Sequence, residues 1–220
     1  MKDLFHVARE APSLLIVEDD KALASYLSSV MQDDGYRVHC AHSRPEALEV
    51  SPQPLLVLVD LGLPPAQNRI TEGLFLIDAL LACEPNSKII VITGQDEESA
   101  ALEAVRRGAF DFLSKPATME DVKSAIHRAR LFLHHEKQLF KAGETRLHLT
   151  IRLANGPKDS ADTVEEHIVR STLANSNGNI TEAARRLGLI RENMYYYMKK
   201  YGISLRRAKR QELIVKNQLN

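Results

Sequence analysis

The chain has 220 residues, 44 % of them apolar, which is a globular composition with room for one large domain or two small ones. Its 29 basic and 29 acidic side chains cancel, but unevenly: residues 138–220 hold 15 Lys/Arg against 8 Asp/Glu, and residues 1–137 hold 14 against 21. No apolar run approaches the roughly 18 residues of a membrane span, and Met1–Pro12 lacks the charged-then-apolar pattern of a signal peptide, so the expectation is a cytoplasmic protein without membrane association. An acidic first part joined to a basic second part points to two domains with different partners, the second being a candidate for nucleic acid. Cys40 and Cys83 sit in no metal or redox motif and are expected to be small core residues.

Taken in order, Leu14–Val17 is a short apolar run ending in Glu18-Asp19-Asp20. Ala22–Met31 has helical spacing, Tyr36–Ala41 alternates as a strand, and Arg44–Val50 reads as a short helix. Leu55–Val59 is an unbroken apolar run that stops at Asp60, the pattern of a strand buried on both faces. Gly73–Cys83 is helical, Lys88–Ile92 is a strand ending at Thr93-Gly94, and Glu97–Arg107 is a helix stopped by Gly108. Phe110–Leu113 is a last short strand before Lys115-Pro116, and Met119 to about Gln138 is a long amphipathic helix. Strands and helices alternate with connections long enough for right-handed parallel crossovers. The fold class predicted is α/β: a five-stranded doubly wound, flavodoxin-like domain over residues 12–137.

In one parallel sheet the strand ends share an edge, and in open α/β sheets that edge holds the chemistry. Glu18, Asp19, Asp60, Thr93 and Lys115 all fall there. Singly, each is an ordinary polar residue at a loop start; jointly they form three carboxylates, a hydroxyl and an ammonium in one cleft. Clustered carboxylates repel and favour a hard divalent cation such as Mg²⁺. A carboxylate in such a site can act as a nucleophile towards phosphorus, with Lys115 neutralising phosphoryl charge and Thr93 donating to a phosphoryl oxygen.

Leu14–Asp20 (LLIVEDD), Asp60-x-x-x-Pro64, Val91-Ile92-Thr93-Gly94 and Gly108–Pro116 (GAFDFLSKP) resemble the receiver domain of two-component response regulators. The resemblance implies Asp60 as phosphoacceptor, Glu18 and Asp19 as the acidic pair for Mg²⁺, the Gly62 backbone carbonyl as a further ligand, and Thr93 with Phe112 as a switch pair. It also implies a histidine kinase as phosphodonor. One departure stands beside the site: Pro65–Glu72 precedes Gly73, making this loop about five residues longer than the family's, either a tolerated surface insertion or a feature that alters access to the site.

Residues 138–162 read as a linker. Arg146–Leu153 alternates, with Leu147, Leu149, Ile151 and Leu153 on one side. Such a strand pairs with a counterpart in a dimer, joins a sheet edge, or does not form. The alternative is a continued helix with a dimeric coiled-coil stripe of Val122, Ile126, Ala129, Leu133 and Phe140. The strand-containing linker is preferred.

The last domain, 163–220, is predicted as a small all-α unit. Thr163–Ala174 is amphipathic, Asn179-Ile-Thr-Glu182 has the form of a helix start, and Arg191–Tyr201 places Met194, Tyr197 and Met198 at core spacing. Two short helices about a glycine turn make a helix-turn-helix, whose second helix fits a major groove. Gly178–Gly188 (GNITEAARRLG) and Lys199–Gly202 resemble the Fis-type DNA-binding domain. That resemblance implies a homodimer on double-stranded DNA, with Arg191, Asn193, Tyr195 and Tyr196 on the groove face and Asn179, Thr181, Lys199 and Lys200 near phosphates. The three tyrosines 195–197 depart from the Fis pattern, so no base preference carries over. In the basic tail, Arg206 and Arg207 are expected to add phosphate contacts.

A receiver followed directly by such a domain resembles the small redox-responsive regulators of the RegA/PrrA/ActR type. The linker of about 25 residues is far too short for an intervening ATPase domain. The expected function is a non-enzymatic switch: phosphorylation of Asp60 by a kinase tunes DNA binding and transcription. The rival reading is an architectural DNA-binding protein whose receiver is structural.

Overall fold

Two-residue periodicity inside each apolar run decides the architecture. The computed structural model describes residues 11–65, 70–94, 98–145 and 156–204. Five strands form one parallel sheet in the order β2-β1-β3-β4-β5: β1 (Ser13–Val17), β2 (Arg37–Ala41), β3 (Leu56–Asp60), β4 (Lys88–Thr93) and β5 (Asp111–Ser114). Leu15, Val17, Val57, Val59, Ile89 and Val91 point to one face and pack under α2 (Arg44–Glu49), α3 (Thr71–Cys83) and α4 (Glu98–Arg106). Leu14, Ile16, Leu56, Leu58, Ile90 and Ile92 point to the other and pack under α1 (Lys21–Asp33) and α5 (Met119–Lys141). Central strands covered on both sides need apolar residues at every position, which explains why the runs are continuous. Each such fully buried side chain contributes about 1.5–3 kcal/mol relative to exposure.

Gly73 is where the packing is tightest. A Cβ there would lie 2.5 Å from the Leu61 backbone Cα, so the first turn of α3 sits directly on the chain leaving β3.

The C-terminal unit has its own core. In α6 (Gly156–Asn175), Val169 and Leu173 meet Ala183 and Ala184 of α7 (Ile180–Arg186), and Met194 and Met198 of α8 (Arg191–Lys200) close the cluster. The two alanines let α7 lie close to its neighbours. Gly188 makes the turn between α7 and α8 with φ +67°, in the left-handed region that favours glycine.

Three expectations are corrected. Cys40 and Cys83 are exposed, because β2 is an edge strand in which only Ala41 is fully buried and Cys83 falls on the outward side of the end of α3. Val122, Ile126 and Ala129 are buried in the receiver core and Leu133 packs against it, so the coiled-coil stripe is already used within the domain. The helix expected from Thr163 starts earlier: α6 begins at Gly156, and α5 runs on to Lys141. The alternating segment 146–153 and loop residues 66–69 lie outside the described residues.

Candidate functional site

Register builds the acidic edge. β1 and β3 are neighbours with Val17 opposite Val59, so the next residues, Glu18 and Asp60, emerge side by side at the carboxyl end. Glu18, Asp19 and Asp60 bring carboxylate oxygens within 4.8 Å of one another. The Lys115 ammonium, one residue past β5, reaches Asp60 Oδ2 at 2.7 Å and Glu18 Oε2 at 3.5 Å. The Gly62 N–H donates to Asp60 Oδ1 at 3.3 Å.

Glu18 is only 3 % exposed. Burial, reinforced by the neighbouring Asp60 carboxylate and opposed by Lys115, pushes its pKa up to about 7. Lys115 loses some basicity to burial, but Asp60 and Glu18 together overcome this and hold its pKa above the usual lysine value. One ammonium therefore faces three carboxylates. The upward shift at Glu18 reflects a site short of positive charge. An all-oxygen, part-buried donor set of this kind fits a hard divalent cation. The third acid of the Glu18-Asp19-Asp20 run is spent elsewhere: Asp20 caps α1, its carboxylate accepting from the Ala22 and Leu23 N–H groups.

Thr93 is buried at the end of β4, and its carbonyl accepts from the Lys115 N–H at 2.6 Å. Phe112, on the adjacent strand β5, is 38 % exposed and turned outwards. A buried hydroxyl beside the acids and an outward aromatic on the next strand are thus in place as separate groups.

The C-terminal surface is arranged differently. Arg191, Asn193, Tyr195, Tyr196 and Lys199 are all exposed along α8. Arg191 Nη2 donates to the Tyr195 hydroxyl at 3.0 Å, with its guanidinium 5.6 Å from that ring's centroid. Asn179 caps α7 by accepting from the Glu182 N–H at 3.1 Å, and Thr181 is exposed in the first turn of α7. The Lys200 ammonium lies between Asp162 at 2.7 Å and Glu165 at 2.6 Å, tying α8 to α6. Arg206 and Arg207 lie outside the described residues.

Residues 14–127 match the response regulator receiver domain, and residues 160–201 match the Fis family of bacterial regulatory proteins. The chain belongs to the two-component response regulators. The photosynthetic apparatus regulatory protein RegA of Rhodovulum sulfidophilum is 30 % identical to this regulator over 187 residues, covering 84 % of this chain and 90 % of its own. The acid tolerance regulatory protein ActR of Rhizobium meliloti is 29 % identical over 184 residues, 83 % of each chain. Among solved structures, a response regulator receiver domain protein from Clostridium thermocellum superposes with TM-score 0.50 at 25 % identity, over 58 % of this regulator and 98 % of that chain. The regulator thus combines a receiver with a Fis-type DNA-binding domain, as transcriptional response regulators do, and the architectural alternative is not favoured. Among the described residues, no helix is long and apolar enough to cross a membrane.

Two features of the regulator's site were not anticipated from sequence. His42, just after β2, places Nδ1 2.8 Å from the Glu18 carbonyl oxygen. Arg44 pairs with Glu72 across the start of α2 and α3 at 2.8 Å. The Ser43-x-x-Glu46 spacing is the one signal that could have drawn attention to this turn, since it marks a helix start.

Proposed function

We propose that Asp60 is the phosphoacceptor, that Glu18, Asp19, Asp60 and the Gly62 carbonyl hold Mg²⁺, and that phosphorylation changes how the C-terminal domain engages DNA. The observation that carries the reading is the convergence of Lys115 and the three carboxylates on one strand edge. In the transfer, an Asp60 carboxylate oxygen bonds to phosphorus as the phosphorus–nitrogen bond to the kinase histidine breaks. The electron pair returns to the imidazole, which takes up a proton. Lys115 stays within reach of the acceptor oxygen and neutralises charge on the phosphoryl group. A divalent cation held there would supply the remaining charge neutralisation. Thr93 then donates its hydroxyl to a phosphoryl oxygen, and Phe112 turns inwards behind it. The regulator's own aspartate is the acceptor, so we assign no turnover of a separate substrate. With a kinase and DNA as partners, the proposed site of action is the cytoplasm.

On DNA, Arg191, Asn193, Tyr195 and Tyr196 form the groove face of α8, and Thr181, Asn179 and Lys199 approach phosphates. Lys200 contributes to phosphate binding only by leaving Asp162 and Glu165, and Arg206 and Arg207 extend the phosphate contacts. We divide the chain into a receiver (12–137), a linker (138–162) and an effector domain (163–220), the observed α6 carrying the effector unit back to Gly156. A homodimer through the effector domain is supported by a groove of about 480 Å³ lined by Val164, Ile168, Leu187, Leu189 and Tyr197. The test is DNA affinity of the full chain with and without beryllofluoride and Mg²⁺. A change in affinity that disappears in Asp60→Asn supports the switch; equal affinity in both states contradicts it.

A further inference from the structure

The turn that starts α2 grips both halves of the acidic edge. On one side, the β1–β2 ladder ends with the Glu18 N–H donating to the Ala41 carbonyl at 3.1 Å. The next backbone acceptor, the Glu18 carbonyl, is met by the His42 ring at 2.8 Å. A carbonyl can only accept, so Nδ1 carries the proton in this contact. His42 thereby supplies the rung that the strand pair lacks, immediately beside the acidic pair.

The turn itself is braced. Ser43 caps α2, accepting from the Glu46 N–H at 3.4 Å, and the Glu46 carboxylate accepts from the His42 N–H at 2.8 Å. On the other side, Arg44 Nε donates to Glu72 at 2.8 Å, and Glu72 sits in the first turn of α3. The next residue is Gly73, whose missing Cβ lets that turn rest on the Leu61 backbone, one residue after Asp60. Five consecutive residues, His42–Glu46, thus connect through one contact to Glu18 and through Arg44, Glu72 and Gly73 to the Asp60–Gly62 segment.

We propose that His42 and Arg44 are positioning residues that set the separation of the two half-sites, Glu18-Asp19 and Asp60–Gly62, and so set the affinity for the divalent cation. This rests on the reading of that edge as the Mg²⁺ and phosphoacceptor site. The Arg44–Glu72 pair is 38 % and 16 % exposed in its two side chains, a setting where ion pairs add little to stability. Its effect therefore falls on geometry rather than on melting temperature. Partners that hold metal ligands in place typically alter metal affinity by about 10- to 100-fold when removed.

The experiment is calorimetric titration of the full chain with Mg²⁺, alongside its thermal midpoint in EDTA. Arg44→Ala and Glu72→Ala each weaken Mg²⁺ by about tenfold, and the double variant is no weaker than either single, because Arg44 acts through Glu72. Arg44→Lys recovers part of the loss. His42→Ala weakens Mg²⁺ independently, and His42→Asn, which keeps an N–H donor, recovers part of it. The EDTA midpoints of all these variants stay near wild type. Asp19→Asn tests the underlying reading separately. If it leaves Mg²⁺ binding intact, the site assignment fails and the brace with it. If Asp19→Asn abolishes binding while His42→Ala and Arg44→Ala match wild type, the site stands and the brace alone is overturned.

Discussion

The acidic edge of the receiver and the exposed face of α8 hold their functional groups in opposite ways. At the edge, charged groups from three separate strand ends converge, and their charges act on one another: Glu18 is driven towards its neutral form by burial and by Asp60, while Lys115 is held to both. On α8 the groups stand side by side in the order of the chain, exposed, with Arg191 resting on Tyr195. The first arrangement is preorganised for a small, highly charged ligand. The second is a surface whose energetics appear only when a partner covers it. Altering a residue at the edge should change chemistry steeply, whereas altering one on α8 should change affinity by increments.

The largest expected effect is at the edge. Lys115→Ala should slow phosphorylation by a small phosphodonor about a hundredfold, as removal of a preorganised charge does, with little loss of fold. A rate within a few-fold of wild type would place Lys115 outside the chemistry and erase the contrast. Next comes Gly73→Ala, which forces the new methyl against the Leu61 backbone. Chemical denaturation should show a loss of about 1–3 kcal/mol, typical of overpacking. An unchanged midpoint would mean that α3 moves freely relative to Asp60.

On the other surface, Arg191→Ala should cost about 1–3 kcal/mol of DNA binding and relax base preference, whereas Lys199→Ala should weaken all sequences alike and lower the salt slope by about 1. Binding selections at two or more salt concentrations separate the two. Uniform weakening by Arg191→Ala would demote it to a phosphate contact.

A further expected effect is a pH dependence confined to the edge. The pKa of Glu18 is raised from 4.5 to about 7 in the folded protein, so the folded state binds the proton more tightly than the unfolded one. Its contribution is fully present below about pH 4.5 and is lost as pH rises through about 7. In EDTA, wild type should lose stability over that window relative to Glu18→Gln. Parallel curves for the two proteins would remove the charge shortage from the account.

Much of this was readable in the chain because the receiver obeys simple periodicities. Unbroken apolar runs such as Leu56–Val59, too short for a helix and rich in β-branched residues, read as central strands, and once the strands are parallel their polar ends share an edge. Glu18, Asp19, Asp60 and Lys115 were accessible by that logic. The His42 and Arg44–Glu72 contacts were not, since they depend on side-chain reach between elements 24 and 28 residues apart. Cys40 was misplaced because strand order, and so which strand lies at the edge, is not encoded in periodicity. The start of α6 was missed because the polar residues Lys158–Asp162 carry no apolar stripe, although they continue the helix. Lys200 shows the same limit on the basic side: its charge was visible, but its pairing with Asp162 and Glu165 was not.

The central claim is that the phosphoryl group goes to Asp60. The most direct measurement is peptide mapping after phosphorylation with Mg²⁺ and a small phosphodonor, followed by borohydride reduction, which converts an acyl phosphate of aspartate to homoserine. The account predicts homoserine at position 60 and its absence in Asp60→Asn. Homoserine at Asp19 or Asp20 instead, or none in wild type under conditions that phosphorylate other receivers, would contradict it.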